Sequence, residues 1–346
     1  MVFSWRCLLP QTATTPVHLT RSSHAISYVA ATNTIYLYGG ENQPRIPVDN
    51  VLYSFSLSDP AAGWAPVNLV SSSSVCPPER IAPGMVAMDK TLYVMGGRQG
   101  ITMDEGPLDD LWAFDTQSKT WTCVMEHTEE KGGPSKRSFH QMVGFEGKLY
   151  VFGGCGAKGR MRDLYAFDIG KGTWEALPSK EEMKGRGGAA VTAVDGKVLL
   201  LGGFAGEEAR DMWAFDLEKK EWEDWSSYST GLEPRSVFGL QPVQGGKSLV
   251  LFGGEVDPSS AGHMGAGGFA GDTLLFSLTD KTQGFTSPLP SSPPSPSPSP
   301  RGWYGHCVTK EGSVVVVGGL APDNSRLGDV WVLEEEGKEG GGKEEL

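Results

Sequence analysis

The stretch LYVFGGCGAKGRMRDLYAFD, Leu149–Asp168, decides the fold. A short apolar run stops at paired glycines, crosses a polar loop, and gives way to a second run that begins with aspartate and ends in aromatics. The first half recurs as IYLYGG ending at Gly40, LYVMGG at Gly97, VLLLGG at Gly203, LVLFGG at Gly254 and VVVVGG at Gly319. With Gly154, the steps between these ends are 57, 57, 49, 51 and 65 residues. The second half recurs as VLYSF, DLWAFD, DMWAFD, DTLLFS and DVWVLE.

Each unit also carries an arginine 16 to 18 residues before its first glycine: Arg21, Arg80, Arg137, Arg186, Arg235 and Arg301. A tryptophan follows the second run in four units, as Trp64, Trp121, Trp174 and Trp222; Phe285 takes that place in the fifth. A period near 50 with paired glycines marks a kelch propeller. The fold class is therefore all-β: six blades, each a four-stranded antiparallel sheet, over residues 1–335. The sixth unit ends without its aromatic, and Trp5 stands before the first arginine. The N-terminal strand thus completes the sixth blade, which closes the ring and removes free edges. Aromatics of the third strands, such as Trp112, Tyr165 and Trp213, pack between blades.

Two segments depart from the repeat. Residues 286–300 are a proline-serine tract, expected to be an extended, mobile insert. Residues 336–346 are charge and glycine, expected to be a disordered tail. The net charge of −12 argues against nucleic acid and anionic membranes as partners. No run approaches a transmembrane span, and no signal peptide is apparent at the start. Five cysteines with no CxxC fit reduced thiols in a cytoplasmic protein.

In an up-and-down blade the first strand begins on the face where the second ends. One channel rim therefore gathers the residues after each glycine pair with those around each leading arginine. The six arginines, and with them His24, His140 and His306, repeat with the fold and read as structural. Residues that break the symmetry are better candidates. Arg98 and Arg160 can hold a sulfate, phosphate or carboxylate, or be solvated surface groups. Trp303 offers an aromatic wall, or packs between blades. FGGEVDPSSAGHMGAGGFAGD, Phe252–Asp272, is a glycine-rich loop found in no other unit. Its Glu255 and His263 suit Fe(II), Mn or Zn, with Asp257 and Ser259 within reach; the alternative is that Glu255 caps local backbone amides. No GxSxG, HExxH or P-loop occurs, and the tyrosine, histidine and cysteine set of a kelch copper oxidase is lacking.

At these residues the chain resembles the kelch specifier proteins of plant glucosinolate breakdown: epithiospecifier, nitrile-specifier and thiohydroximate-forming proteins. The resemblance runs over nearly the whole chain. It includes RSSH (Arg21–His24), GGR ending at Arg98, EKGGPSKRSFH (Glu130–His140), KGRGGAA (Lys184–Ala190), RSVF (Arg235–Phe238), the loop from Gly253 to Gly267, and PRGW (Pro300–Trp303). It implies Fe(II) held by a glutamate, an aspartate four later and a histidine four later again, with two arginines and a tryptophan on a sulfated thiohydroximate. Carried over, the metal ligands are Glu255 and His263, and the substrate residues are Arg98, Arg160 and Trp303. The middle position is Ser259, a poor iron ligand, so Asp257 or water would serve. The function expected is an Fe(II)-assisted lyase or isomerase acting on a small anionic molecule. The alternative is a propeller whose rim binds a protein partner.

Overall fold

The computed structural model describes residues 2–69, 75–100, 106–260, 265–290 and 296–337. Six four-stranded antiparallel sheets form a β-propeller, and no α-helix occurs among the described residues. Blade three is the simplest case. Its strands are Gln141–Phe145, Lys148–Gly156, Gly159–Asp168 and Thr173–Leu177, paired in that order from channel to periphery. The sixth sheet takes three strands from the C-terminal end and its outermost strand, Phe3–Leu9, from the N-terminus. Phe3 pairs with Glu335 and Trp5 with Leu333, so the two ends of the ring are clipped by one ladder.

The repeat residues explain themselves in this geometry. Every leading arginine is almost wholly buried. Arg137 is typical: it donates to the Gly153 carbonyl at 2.9 Å, to both oxygens of Asp163 at 2.7 and 2.9 Å, and to the Ser135 carbonyl at 2.9 Å. The aspartate lies within the third strand, so the arginine ties three parts of one blade together. A buried guanidinium needs this paired carboxylate to offset its lost hydration. The second glycine of each pair donates to the carbonyl of the next blade's arginine, from Gly40 to Arg80 onward and from Gly319 back to Arg21. Glycine is required there: at Gly154, φ is +96°, and a Cβ would lie 2.8 Å from both the His140 Cβ and the Ser138 carbonyl.

A second ring of hydrogen bonds runs nearer the axis. Two residues after each arginine the backbone turns left-handed, at Ser23, Ala82, Phe139, Gly188, Val237 and Trp303. Each of these N–H groups donates to the carbonyl of its counterpart in the preceding blade, with distances from 2.7 to 3.2 Å, and Ser23 closes the circuit on Trp303. This annulus divides the axis. On one side runs a channel of about 290 Å³ lined by the innermost strands; on the other lies the rim.

The outer strands supply the aromatic core. Phe55–Trp64, Phe114–Trp121, Phe167–Trp174, Phe215–Trp222 and Phe276–Phe285 pack at centroid distances of 4.9 to 5.2 Å. Trp5 instead lies edge-on to Phe252 of blade five at 5.2 Å and donates its indole N–H to Thr273 Oγ1 at 2.9 Å. Trp112 and Trp213 pack in cores shared by neighbouring blades and cap the structural aspartates through their indole N–H groups. Tyr165 lies beneath Arg137.

The proline-serine tract is anchored at the ends that are described. Pro288 is buried and its carbonyl accepts from the Phe3 N–H, and Leu289 packs against the core shared by blades five and six. Pro298 is buried too. At these positions the segment is tethered to the ring. Residues 291–295, and the tail from 338 on, lie outside the described residues.

Candidate functional site

The rim is built by six short bridges. In each blade the residue after the arginine pairs with the residue after the glycines: Ser22 with Glu41, Ile81 with Arg98, Ser138 with Cys155, Gly187 with Phe204, Ser236 with Glu255 and Gly302 with Leu320. The residues of that inner layer are held at the axis by pairing on both sides.

A cavity of about 230 Å³ opens among them, lined by Arg45, Phe139, Cys155, Arg160, Phe204, Ser236, Val237, Glu255, Pro258, Ser259 and Trp303. Four residues read from the sequence meet here: Arg160, Glu255, Ser259 and Trp303. Arg160 is exposed at the cavity and lies over the Phe204 ring at 4.5 Å. Trp303 meets Phe269 of the blade-five loop edge-on at 5.7 Å. Ser259 caps Glu255 through its backbone N–H, the amide-capping role that the sequence left open for this loop. Asp257 is exposed and outside the lining. His263 lies outside the described residues.

Arg98 takes another place. It is fully buried, stacked on Phe139 at 5.4 Å, and does not line the cavity. Burial, and then the nearby Arg45, disfavour its charge. Cys155 is close to both Arg98 and Arg160, which partly offset the effect of burial in raising its thiol pKa.

Arg45 is the cation that sequence reasoning missed. It sits in the tip of the hairpin after the first glycine pair, at φ +65°. Glu41 holds that tip: it accepts from the Arg45 backbone N–H, from Ser22 Oγ at 3.4 Å and from Ser23 Oγ at 3.2 Å. No residue pattern marks a non-glycine left-handed turn, so only the folded hairpin reveals that Arg45 points inward.

Glu208 was also missed. It opens the third strand of blade four, opposite Phe204 across a tight hairpin. Its Oε1 accepts from Ser236 Oγ at 3.1 Å, while Oε2 is buried without a hydrogen-bond partner. Burial and then the Glu255 charge push its pKa up to about 8. Burial likewise raises Glu255 to about 7, against the Ser259 N–H. The cavity thus carries two cations, Arg45 and Arg160, and one carboxylate, Glu255, with Glu208 behind Ser236 just outside the lining. Two neighbouring carboxylates with an orphaned oxygen are donor chemistry that fits a divalent cation. Among the described residues no cluster of three His, Cys, Asp or Glu is arranged around one centre.

The histidines have a packing role. His24, His140 and His306 sit against Gly305, Gly84 and Gly239 of the preceding blades, where a Cβ would come within 2.7 to 2.8 Å of the rings. Burial lowers their pKa values to about 3, 3 and 4. All five cysteines are unpaired. No described helix is long and apolar enough to cross a membrane.

Ring, repeat and rim cavity together define a six-bladed kelch propeller with a pocket at one mouth. Residues 23–254 match the KLHDC2/KLHL20/DRC7 Kelch-repeats domain, and the chain belongs to this kelch-repeat family. It is 30% identical over 342 residues, covering 90% of this chain and 91% of the relative, to N-(sulfonatooxy)prop-2-enimidothioate sulfolyase of Thlaspi arvense. It is a divergent relative of that plant protein. Over 173 residues it is 32% identical to Mei4-dependent protein 6 of Schizosaccharomyces pombe, covering 47% of this chain and 24% of that protein. Over 175 residues it is 29% identical to Multiple epidermal growth factor-like domains protein 8 of Homo sapiens, covering 48% of this chain and 6% of that protein.

Proposed function

We propose that the rim cavity binds a small sulfated molecule and promotes departure of its sulfate, the reaction class carried in the name of the Thlaspi relative. The observation that carries this reading is the pairing of Arg45 and Arg160 with Trp303 and Phe204 in one cavity of about 230 Å³. That volume lies below the ~300 Å³ at which pockets for drug-sized ligands begin, so the substrate is small.

The guanidiniums of Arg45 and Arg160 would hold the sulfate through charge-assisted hydrogen bonds. As the nitrogen–oxygen bond of an O-sulfonated thiohydroximate lengthens, its electron pair leaves with sulfate. The thiolate charge is drawn into the remaining fragment, which becomes neutral. Two arginines aimed at the departing group favour that state over the ground state. Trp303 and Phe204 wall the apolar end and exclude water. Glu208, behind Ser236 and held neutral at pH 7 by its burial when no metal is present, adds no charge against the dianion. Fe(II), when bound, would supply a Lewis acid that polarises a substrate sulfur or oxygen, with Glu255, Glu208 and His263 as its holders.

The test is turnover of N-(sulfonatooxy)prop-2-enimidothioate by the full chain, with and without added Fe(II), followed as sulfate release and product composition against buffer. Arg160→Ala should lower kcat/KM by roughly 10²-fold, the order seen when one charge-stabilising donor is lost. Product formation indistinguishable from buffer, with Fe(II) present, sinks the enzymatic reading and leaves the rim as a protein-binding surface.

A further inference from the structure

The tract that ends SPSPR, Ser297–Arg301, meets the ring at an arginine whose donors are all engaged. Arg301 donates through Nε to the Ser299 carbonyl at 3.0 Å, and through Nη1 to the Gly318 carbonyl at 3.0 Å and Asp329 Oδ1 at 2.6 Å. Its Nη2 donates to Asp329 Oδ2 at 2.9 Å and to the Ser299 hydroxyl at 3.0 Å. A guanidinium has five N–H donors, so every one is used, and the last is used by a hydroxyl. Ser299 is exposed, belongs to no strand, and precedes Pro300, which pushes its backbone toward the extended region. Blade three has the same hydroxyl, Ser135 at 3.3 Å from Arg137 Nη2, but Lys136 follows it and the residue is only partly exposed.

We propose that Ser299 is a phosphorylation site for a proline-directed protein kinase, and that its phosphate competes with Asp329 for Arg301. In the transfer, Ser299 Oγ gives its proton to the kinase's catalytic base and bonds to the γ-phosphorus of a nucleoside triphosphate. The bond from that phosphorus to the bridging oxygen breaks, and the nucleoside diphosphate leaves with the electron pair. The product carries about −1.5 to −2 charge and three acceptor oxygens beside a carboxylate that is almost buried. One cation then faces two anions. The donors that reach the phosphate are those that held Asp329, which keeps only the Trp331 indole N–H at 2.7 Å. Arg301 also carries the carbonyl that receives the Gly254 N–H and lies two residues before Trp303, a member of the annulus and of the rim cavity. Phosphorylation would therefore loosen blade six, where the ring closes, and disturb the cavity wall from outside it.

The experiment treats the full chain and Ser299→Ala with a purified proline-directed kinase and ATP, each against a mock-treated sample. Sites are mapped by mass spectrometry, and Tm and amide hydrogen exchange are recorded. The other Ser-Pro sites remain in the variant, so the difference reports Ser299. The expected result is phosphate on Ser299, a fall in Tm of about 3 °C or more that Ser299→Ala does not show, and faster exchange over 314–335 than in blade three. No phosphate on Ser299, whether or not other serines are modified, overturns the site. Phosphate on Ser299 with an unchanged or raised Tm overturns the competition with Asp329.

Discussion

Replacing Trp5 with alanine tests the closure of the ring. Trp5 is 3% exposed, contacts Phe252 of a neighbouring blade, and satisfies Thr273 through its indole N–H. Truncating a buried tryptophan to alanine costs about 3–5 kcal/mol, and the lost hydrogen bond lies within that figure at about 1 kcal/mol. With an unfolding entropy of roughly 2.1 cal/mol/K per residue, a ring of about 335 residues has ~0.7 kcal/mol/K, so ~4 kcal/mol lowers Tm by ~6 °C. The assay is differential scanning calorimetry. The structure also supplies a rescue of strand closure. Phe3 pairs with Glu335, so moving residues 2–10 behind Glu335 through a short turn keeps the same ladder and should preserve the wild-type Tm. A Trp5→Ala Tm within 1 °C of wild type would refute closure by this strand.

Further consequences are separable. Gly154→Ala should destabilise by about 2 kcal/mol or more, through a strained φ and a 2.8 Å clash with His140, read as a shifted denaturant midpoint. His24, His140 and His306 are held neutral, with pKa values lowered from 6.5 to about 3, 3 and 4. Their stabilising contribution is present above pH 6.5 and lost as pH falls toward 3, so Tm should fall steeply across that window. Glu208 has the opposite sign. Its folded pKa is raised from 4.5 to about 8, so its contribution is present below pH 4.5 and lost as pH rises through 8. The Tm of Glu208→Gln should therefore gain on wild type between pH 4.5 and 8 and no further; a gap independent of pH would contradict the buried acid.

The architecture was legible because its determinants are local and repeated. Paired glycines answer a left-handed turn against the next blade, and an arginine seen six times had to serve the fold rather than one reaction. The missing aromatic of unit six pointed to Trp5, which pairs with Leu333. The rim was legible only as a set of positions. Topology placed Arg98 there, but its side chain turns inward onto Phe139. Arg45 reaches the cavity, and Glu208 reaches Ser236 of its wall, because hairpins of different lengths follow the glycines of blades one and four, and hairpin geometry is not written in the residue after Gly-Gly. The loop after Glu255 was marked by its composition, and Ser259 supplies a backbone N–H to Glu255.

The most direct test of the rim as an anion site is a crystal structure of the full chain with an O-sulfonated thiohydroximate analogue that cannot eliminate. The account predicts sulfate oxygens within about 2.8 Å of both the Arg45 and Arg160 guanidiniums, with the apolar end against Trp303. An analogue seated elsewhere, or a cavity holding only solvent at saturating analogue, would contradict it.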